Sequence, residues 1–425
     1  MIQQFNQIKP FSRELELPGD KSISHRAAIF SAMAKGKSVI KNISNGEDVN
    51  STIECLNKIG TEFSVKGNEV IVDGCGYKGF KKPFVTLYAG NSGTTARLLV
   101  GLLSVQNFYS EITGDESLLK RPMDRVIHPL KEMNAKLSLS GNALPIKISP
   151  ADNINSIDYK MPVASAQVKT SVILSGLHSD DESKIIEPVE TRDHTERMLG
   201  LTCKNSNIGK EIFFSRKDYP VHKEFYCPSD FSTASFFIVL TLLNENSELR
   251  IKNVTLNPTR TGLLNILLLM GADIKFENEN IFSGEPFGDI IVKSSELKNV
   301  EVPENIIPNI IDEVPILSVA AVFAKGDFNI RGAGELRLKE SDRIKSIVHN
   351  LSLLGLDIEE YEDGFSVSGT IKKTNGIFNS FGDHRIAMAF SILSLLLNSE
   401  PNVNNFECVN ISNPDFIAQL SQLQR

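Results

Sequence analysis

Lys21, Ser22, Ser24 and Arg26 fall within six positions of LPGDKSISHR, residues 17–26, directly ahead of the apolar run AAIFSAMA. If that run is a helix, these groups ring its N-terminus, where unpaired backbone N–H groups and the positive end of the helix dipole already favour an anion. They suit capture of a phosphate or carboxylate, and an exposed basic turn with a serine N-cap is the alternative that ten residues leave open. YAGNSGTTARLL, residues 88–99, repeats the theme with Gly93, two threonines and Arg97. Glycine there lets the backbone approach an anion closely, although the nucleotide pattern GxxxxGK[ST] is absent from the chain. GELRLKESDRI, residues 334–344, sets Glu340 among Arg337, Lys339 and Arg343, with Ser341 and Asp342 placed to cap a helix. A carboxylate beside cations can shuttle a proton while the cations hold anionic groups, whereas a strand end with surface ion pairs is the plainer reading. Arg121 lies in the basic stretch LLKRPMDR, which by itself reads as a solvated patch, and Arg385 opens the apolar run of FGDHRIAM.

The elements that must position these groups repeat. Apolar helical runs preceded by polar residues begin at 25, 93, 164, 231, 312 and 383, roughly every seventy residues. Between them lies a second set with the spacing of surface helices running into short strands: DVNSTIECLNKIG from 48, DRVIHPLKEMNAK from 124, DHTERMLG from 193, TRTGLLNILLLMG from 259, DRIKSIVHNLSLLG from 342 and the shorter DFIAQLSQL near the end. Runs that are apolar nearly all round belong inside, and six repeats are too many for one core. The expectation is therefore an α/β protein of two domains, each an inverted, barrel-like arrangement of three units with buried parallel helices and sheets outside. The polar helix starts, Ser165 and Gln167 and the pair Asp312 and Glu313 among them, would then gather on one face of each domain, with two such faces meeting at a cleft. For Asp230 and Ser232, plain N-capping is an equal alternative.

Bulk properties narrow the function. The 425 residues carry 45 Lys and Arg against 52 Asp and Glu, a net charge of −7, so anion chemistry must be local and a nucleic-acid or acidic-membrane surface is not expected. Five scattered cysteines without CxxC read as reduced thiols. The first residues, MIQQFNQIKPFSRELEL, lack the apolar core of a signal peptide, and no run reaches the ~18 apolar residues of a membrane span. A cytoplasmic protein without membrane contact is expected.

LPGDKSISHRA, GNSGTTARLL, the KRPM segment, ASAQVKTS, TRDHTERML, DEVPILSVAA, LRLKESDRI and FGDHRIAM, in that order and over essentially the whole chain, closely resemble the 5-enolpyruvylshikimate-3-phosphate synthase family. The resemblance implies an N-terminal domain over 17–228 and a discontinuous C-terminal domain over 1–16 plus 229–425, each of three βαβαββ-type units, with the active site in the cleft between them. It implies transfer of the enolpyruvyl group of phosphoenolpyruvate to the 5-hydroxyl of shikimate 3-phosphate by addition and elimination. No metal or organic cofactor is implied. A monomer acting on small molecules, a place in aromatic amino-acid biosynthesis through chorismate, and glyphosate as inhibitor are expected with it.

By the same resemblance, Lys21 would contact both substrates, and Ser22, Arg26, Ser165, Gln167 and Lys339 would hold shikimate 3-phosphate. Gly93, Arg121, Gln167, Arg343 and Arg385 would hold phosphoenolpyruvate. Asp312 would take the 5-hydroxyl proton, and Glu340, with Lys21, would protonate and deprotonate the methylene carbon. The chain departs from the family pattern in its tail, ECVNISNPDFIA, where Asn410 and Ile411 stand without the common lysine, in Thr191 for a common serine, and in Glu335 where some relatives have asparagine. The sister transferase acting on UDP-N-acetylglucosamine is a rival, but it uses a loop cysteine and residues 114–122, GDESLLKRP, contain none. A non-catalytic anion-binding relative is the other, set against the presence of Lys21, Asp312 and Glu340.

Overall fold

A computed structural model describes residues 1–67, 69–151, 153–374, 376–398 and 401–424. The six apolar runs form helices Lys21–Met33, Gly93–Leu103, Ala166–Gly176, Phe231–Leu243, Val314–Phe323 and His384–Leu396. Phe231–Leu243 is buried from Phe231 through Leu242, with no solvent face to supply polar partners. Its hydroxyls therefore turn inward: Thr241 donates to Phe237 O at 2.7 Å, and in His384–Leu396 Ser391 and Ser394 donate to Ala387 O and Phe390 O at the same distance. Arg343–Ser352 is of the other kind, burying Arg343, Ile344, Ser346, Ile347, Asn350 and Leu351 at the i, i+3, i+4 spacing of one helical face.

Among the described residues, six sheets of three or four strands accompany the helices. Four share one plan, in which the strand after a buried helix pairs in parallel with a lead strand and antiparallel with a hairpin strand. In the sheet containing Ser110–Thr113 the lead strand is Leu87–Tyr88, and in that of Ser183–Glu187 it is Asp158–Lys160. For Lys35–Lys41 the lead strand is Glu224–Tyr226, and for Glu248–Thr255 it is Ser12–Glu16. The strand that precedes each domain's first helix in sequence thus pairs in the sheet of the other domain, which makes two chain crossovers.

Contacts divide the chain into an N-terminal unit, Gly19–Cys227 with Ile281–Glu285, and a C-terminal unit, Met1–Pro18 with Pro228–Asn280 and Pro286–Arg425. Each has its own apolar core. The junctions lie just past Pro18 and Cys227 rather than at 16 and 228 because Pro18 O accepts from Asp230 N at 2.9 Å and Leu17 O accepts from Ser229 Oγ at 3.1 Å, while Cys227 N donates to Lys41 O at 3.0 Å. Nothing in the sequence marked residues 281–285, the tip of a hairpin, for the N-terminal unit. Among the described residues no single helix is long and apolar enough to cross a membrane.

Candidate active site

In the N-terminal unit the three buried helices begin with oxygen caps. Asp20 Oδ1 accepts from Ile23 N at 2.9 Å, Ser92 Oγ from Thr95 N at 3.1 Å and Ser165 Oγ from Val168 N at 3.4 Å. These caps satisfy one orphan N–H each and fix where the first turns point. Cross-links then bring the turns together. Arg97 Nη1 donates to Gln167 Oε1 at 2.9 Å, and Gln167 Nε2 donates to Thr94 Oγ1 at 2.9 Å. Arg26 donates to Thr170 Oγ1 and Thr195 Oγ1, both at 2.8 Å, and to Ser22 O at 2.9 Å. Its guanidinium is buried among hydroxyls, and burial pulls its pKa down to about 10 against the pull of Glu196 and Glu285.

Lys21 Nζ pairs with Asp48 Oδ2 at 2.7 Å, while Arg121 donates to Asn91 Oδ1 at 3.1 Å. Gly93 sits against two guanidinia: a Cβ there would lie 2.6 Å from Arg97 Nη1 and 3.2 Å from Arg121 Nη1. The unit therefore gathers Lys21, Ser22, Arg26, Gly93, Arg121, Ser165 and Gln167 around the ends of three helices. Donors fixed in this way can hold phosphate and carboxylate oxygens.

The C-terminal unit converges on Asp312. Its Oδ1 lies 3.1 Å from Arg343 Nη1 and 3.6 Å from Lys339 Nζ, and its Oδ2 lies 3.5 Å from Arg385 Nη2. Arg343 is buried and bound on three sides, to Asp312, to Glu340 Oε2 at 2.5 Å and to Asp383 Oδ2 at 2.8 Å. Those carboxylates raise its pKa despite burial, Asp383 contributing most, so its charge is permanent. Asp383 also caps the last buried helix by accepting from Arg385 N at 2.9 Å, and Arg385 Nη1 donates to Asp312 O at 3.2 Å. Two carboxylates, Asp312 and Glu340, are thus held by fixed cations, an arrangement that can take up and return protons at defined positions.

The chain matches, over residues 5–420, the family model described as EPSP synthase (3-phosphoshikimate 1-carboxyvinyltransferase). It belongs to the EPSP synthase family. A 3-phosphoshikimate 1-carboxyvinyltransferase of Petrotoga mobilis is 49% identical over 417 residues, covering 95% of each chain. The protein of the same name from Aquifex aeolicus is 43% identical and covers 98% of each. Among solved structures, an EPSP synthase from Acinetobacter baumannii superposes with a TM-score of 0.87 at 39% identity, covering 100% of this chain and 98% of that one. The enolpyruvyl transferase NikO of Streptomyces tendae shares the fold at 14% identity, with a TM-score of 0.77.

Within this EPSP synthase family member, several groups escaped the sequence reading. Asp48, the partner of Lys21, lies in the first turn of the surface helix Glu47–Lys58, where an acid reads as ordinary helix-dipole decoration. A hydroxyl chain joins it to the glycine turn: His25 Nδ1 meets Thr52 Oγ1 at 2.7 Å, Thr52 meets Thr95 at 2.6 Å, and Thr95 Oγ1 lies 2.8 Å from Ser92 Oγ and 3.2 Å from Asp48 O. Lys169, by position one more cation in the first turns of a helix, is buried between Glu187 at 3.0 Å and Glu196 at 2.7 Å. DHTERMLG, expected as a surface helix, buries His194, Thr195 and Glu196 because it supplies partners to that interior. Thr191 keeps the hydroxyl of the usual serine but donates it to Glu187, and Glu335 lies half-buried in the turn Gly334–Leu338. Asn410 and Ile411 fall in the turn Phe406–Ile411, ahead of the last helix.

Proposed function

We infer that the protein transfers the enolpyruvyl group of phosphoenolpyruvate to the 5-hydroxyl of shikimate 3-phosphate, releasing phosphate. The observation that carries this reading is Asp312, a carboxylate ringed by Lys339, Arg343 and Arg385 within 3.6 Å, inside a full-length family match. Both substrates are polyanions, and the reaction adds and then removes a proton at carbon, so it needs fixed cations and at least two acid–base groups.

In this reading Lys21, Ser22, Arg26, Ser165, Gln167 and Lys339 hold shikimate 3-phosphate. Gly93, Arg121, Gln167, Arg343 and Arg385 hold phosphoenolpyruvate, with Lys21 touching both. Asp312 accepts the 5-hydroxyl proton as that oxygen bonds to C2 of phosphoenolpyruvate, and Glu340 with Lys21 gives a proton to C3. In the second half the C2–O bond to phosphate breaks, C3 returns its proton, and phosphate leaves with the electron pair. The protein works as a cytoplasmic monomer without metal or organic cofactor, and turnover draws on the clusters of both units. Mixing the purified chain with both substrates is expected to release phosphate and form the enol ether, with no release when UDP-N-acetylglucosamine replaces shikimate 3-phosphate. Phosphate release from phosphoenolpyruvate with the nucleotide sugar but not with shikimate 3-phosphate would overturn the assignment.

A further inference from the structure

Directly after Asp312 comes Glu313, a carboxylate with no solvent exposure. Burying such a charge is costly unless it is paired and hydrogen-bonded. Its partners come from distant parts of the chain. Ser232 Oγ donates to Oε1, Arg260 Nη1 donates to the same oxygen at 3.0 Å, and Arg260 Nη2 donates to Ser232 Oγ. Arg260 is itself only 1% exposed. Arg385 Nη1 lies 3.6 Å from that oxygen, beyond hydrogen-bond length, and donates to Asp312 O instead.

We propose that Arg260 and Glu313 are positioning residues: Arg260 neutralises and orients Glu313, so that Arg385 keeps its charge and direction for phosphoenolpyruvate. The charges around Asp312 support this. Arg260, Lys339, Arg343 and Arg385 are interleaved with Asp312, Glu313, Glu340 and Asp383 through contacts of 2.5 to 3.6 Å, and Asp230 lies 3.9 Å from Arg260. Without Arg260 the cluster is one charge more negative where a polyanion must approach, and among the described residues Glu313 keeps Arg385 as its cation within 4 Å. Arg385 would then be drawn onto Glu313 and away from its ligand. The backbone is built for this arrangement. Asn257 Oδ1 accepts from Thr259 N at 3.0 Å and Thr259 Oγ1 at 2.8 Å, and Asn257 O accepts from Arg260 N at 2.8 Å, which fixes the turn that carries Arg260. Gly262 follows at close quarters with the segment leading to Asp312, since a Cβ there would lie 2.8 Å from Ile310 Cγ2 and 3.1 Å from Asn309 Cβ.

This inference rests on the function proposed above, and its test separates the two. Steady-state constants for both substrates are measured on the parent chain, Arg260→Met, Arg260→Lys, Glu313→Gln and the double variant Arg260→Met/Glu313→Gln. Arg260→Met is expected to raise KM for phosphoenolpyruvate about tenfold or more, with KM for shikimate 3-phosphate changed far less. Arg260→Lys, which keeps the charge, should fall between it and the parent. Glu313→Gln alone leaves the cluster one charge more positive and should lower KM for phosphoenolpyruvate. The double variant restores the parent's charge balance and should return that KM to within about threefold of the parent, while the lowered KM of Glu313→Gln alone is the result that a merely structural pair would not give. If Arg260→Met fails to fold, Glu313→Gln and the double variant decide the matter. A double variant as impaired as the single one, a raised KM for phosphoenolpyruvate in Glu313→Gln, or parallel rises in both constants would overturn the proposal. A parent that releases no phosphate from the two substrates would strike the functional reading, and this inference with it.

Discussion

The two clusters are built from the same parts, arginines close to helix starts, yet they are wired differently. In the N-terminal unit Arg26 gives its hydrogen bonds to hydroxyls and a carbonyl, and Arg97 and Arg121 donate to amide and carbonyl oxygens. In the C-terminal unit Arg343 and Arg385 are locked to carboxylates. Neutral acceptors orient a guanidinium without cancelling its charge, which suits gripping an anion. Carboxylate partners cancel charge but place acids at fixed positions beside permanent cations, which suits moving protons. The comparison teaches that residue type alone does not define an anion site; the acceptors behind each cation do.

The most severe way to break this contrast is at Lys21, the cation that the N-terminal cluster pairs with Asp48 at 2.7 Å. Lys21→Met is expected to keep the fold and lose kcat by about three orders of magnitude, within the range for removing a group engaged in proton transfer. Turnover close to that of the parent would remove Lys21 from the mechanism. In the other cluster, Glu340→Gln should lower kcat by about 10² to 10³ while affinity for shikimate 3-phosphate, measured by calorimetry, stays near the parent value. Lost affinity with kcat intact would make Glu340 a binding residue and erase the division of labour.

A milder change sharpens the contrast. Gly93→Ala places a methyl group 2.6 Å from Arg97 Nη1, which must shift against its hydrogen bond to Gln167, and 3.2 Å from Arg121 Nη1, which need give only a few tenths of an ångström. KM for phosphoenolpyruvate is expected to rise several-fold, and the inhibition constant for glyphosate, the longer molecule, to rise by a larger factor. Equal shifts in the two constants would show that this glycine does not line the inhibitor's end of the site.

Acid should separate the units by stability. Burial lowers His178 from its ordinary 6.5 to about 4, and His25 also lies well below 6.5, chiefly through burial; both belong to the N-terminal unit. The unfolded chain then binds more protons than the folded one between pH 6.5 and 4, so stability is lost as pH falls through that window and is intact above it. For His178 the full effect is on the order of 3 kcal/mol. In the C-terminal unit Asp289 and Asp363 have lowered carboxyl pKa values, so their contribution is lost only below their ordinary 3.8. Unfolding monitored between pH 7.5 and 5 should therefore weaken first in the N-terminal unit, and His178→Phe should flatten that dependence. An equally steep dependence in the variant would clear His178 of the effect.

The sequence by itself determined the helix starts, because caps and first turns are local. Asp20, Ser92, Ser165, Asp230 and Asp383 each accept from a backbone N–H two or three residues on, a geometry set by a few neighbouring dihedrals. It also determined that the apolar helices are buried, since Phe231–Leu243 has no polar face to offer, although it placed His194–Leu199 on the surface. Side-chain partners across the chain were beyond its reach. Lys169 and Lys21 are both lysines at helix starts, yet one is sealed between Glu187 and Glu196 while the other remains partly exposed beside Asp48. Arg260 and Glu313, 53 positions apart, looked like a surface-helix cation and an N-terminal acid. Only the tertiary structure decided those pairings, because a buried charge selects its partner by distance and desolvation in the packed interior, and neither quantity is written in local spacing.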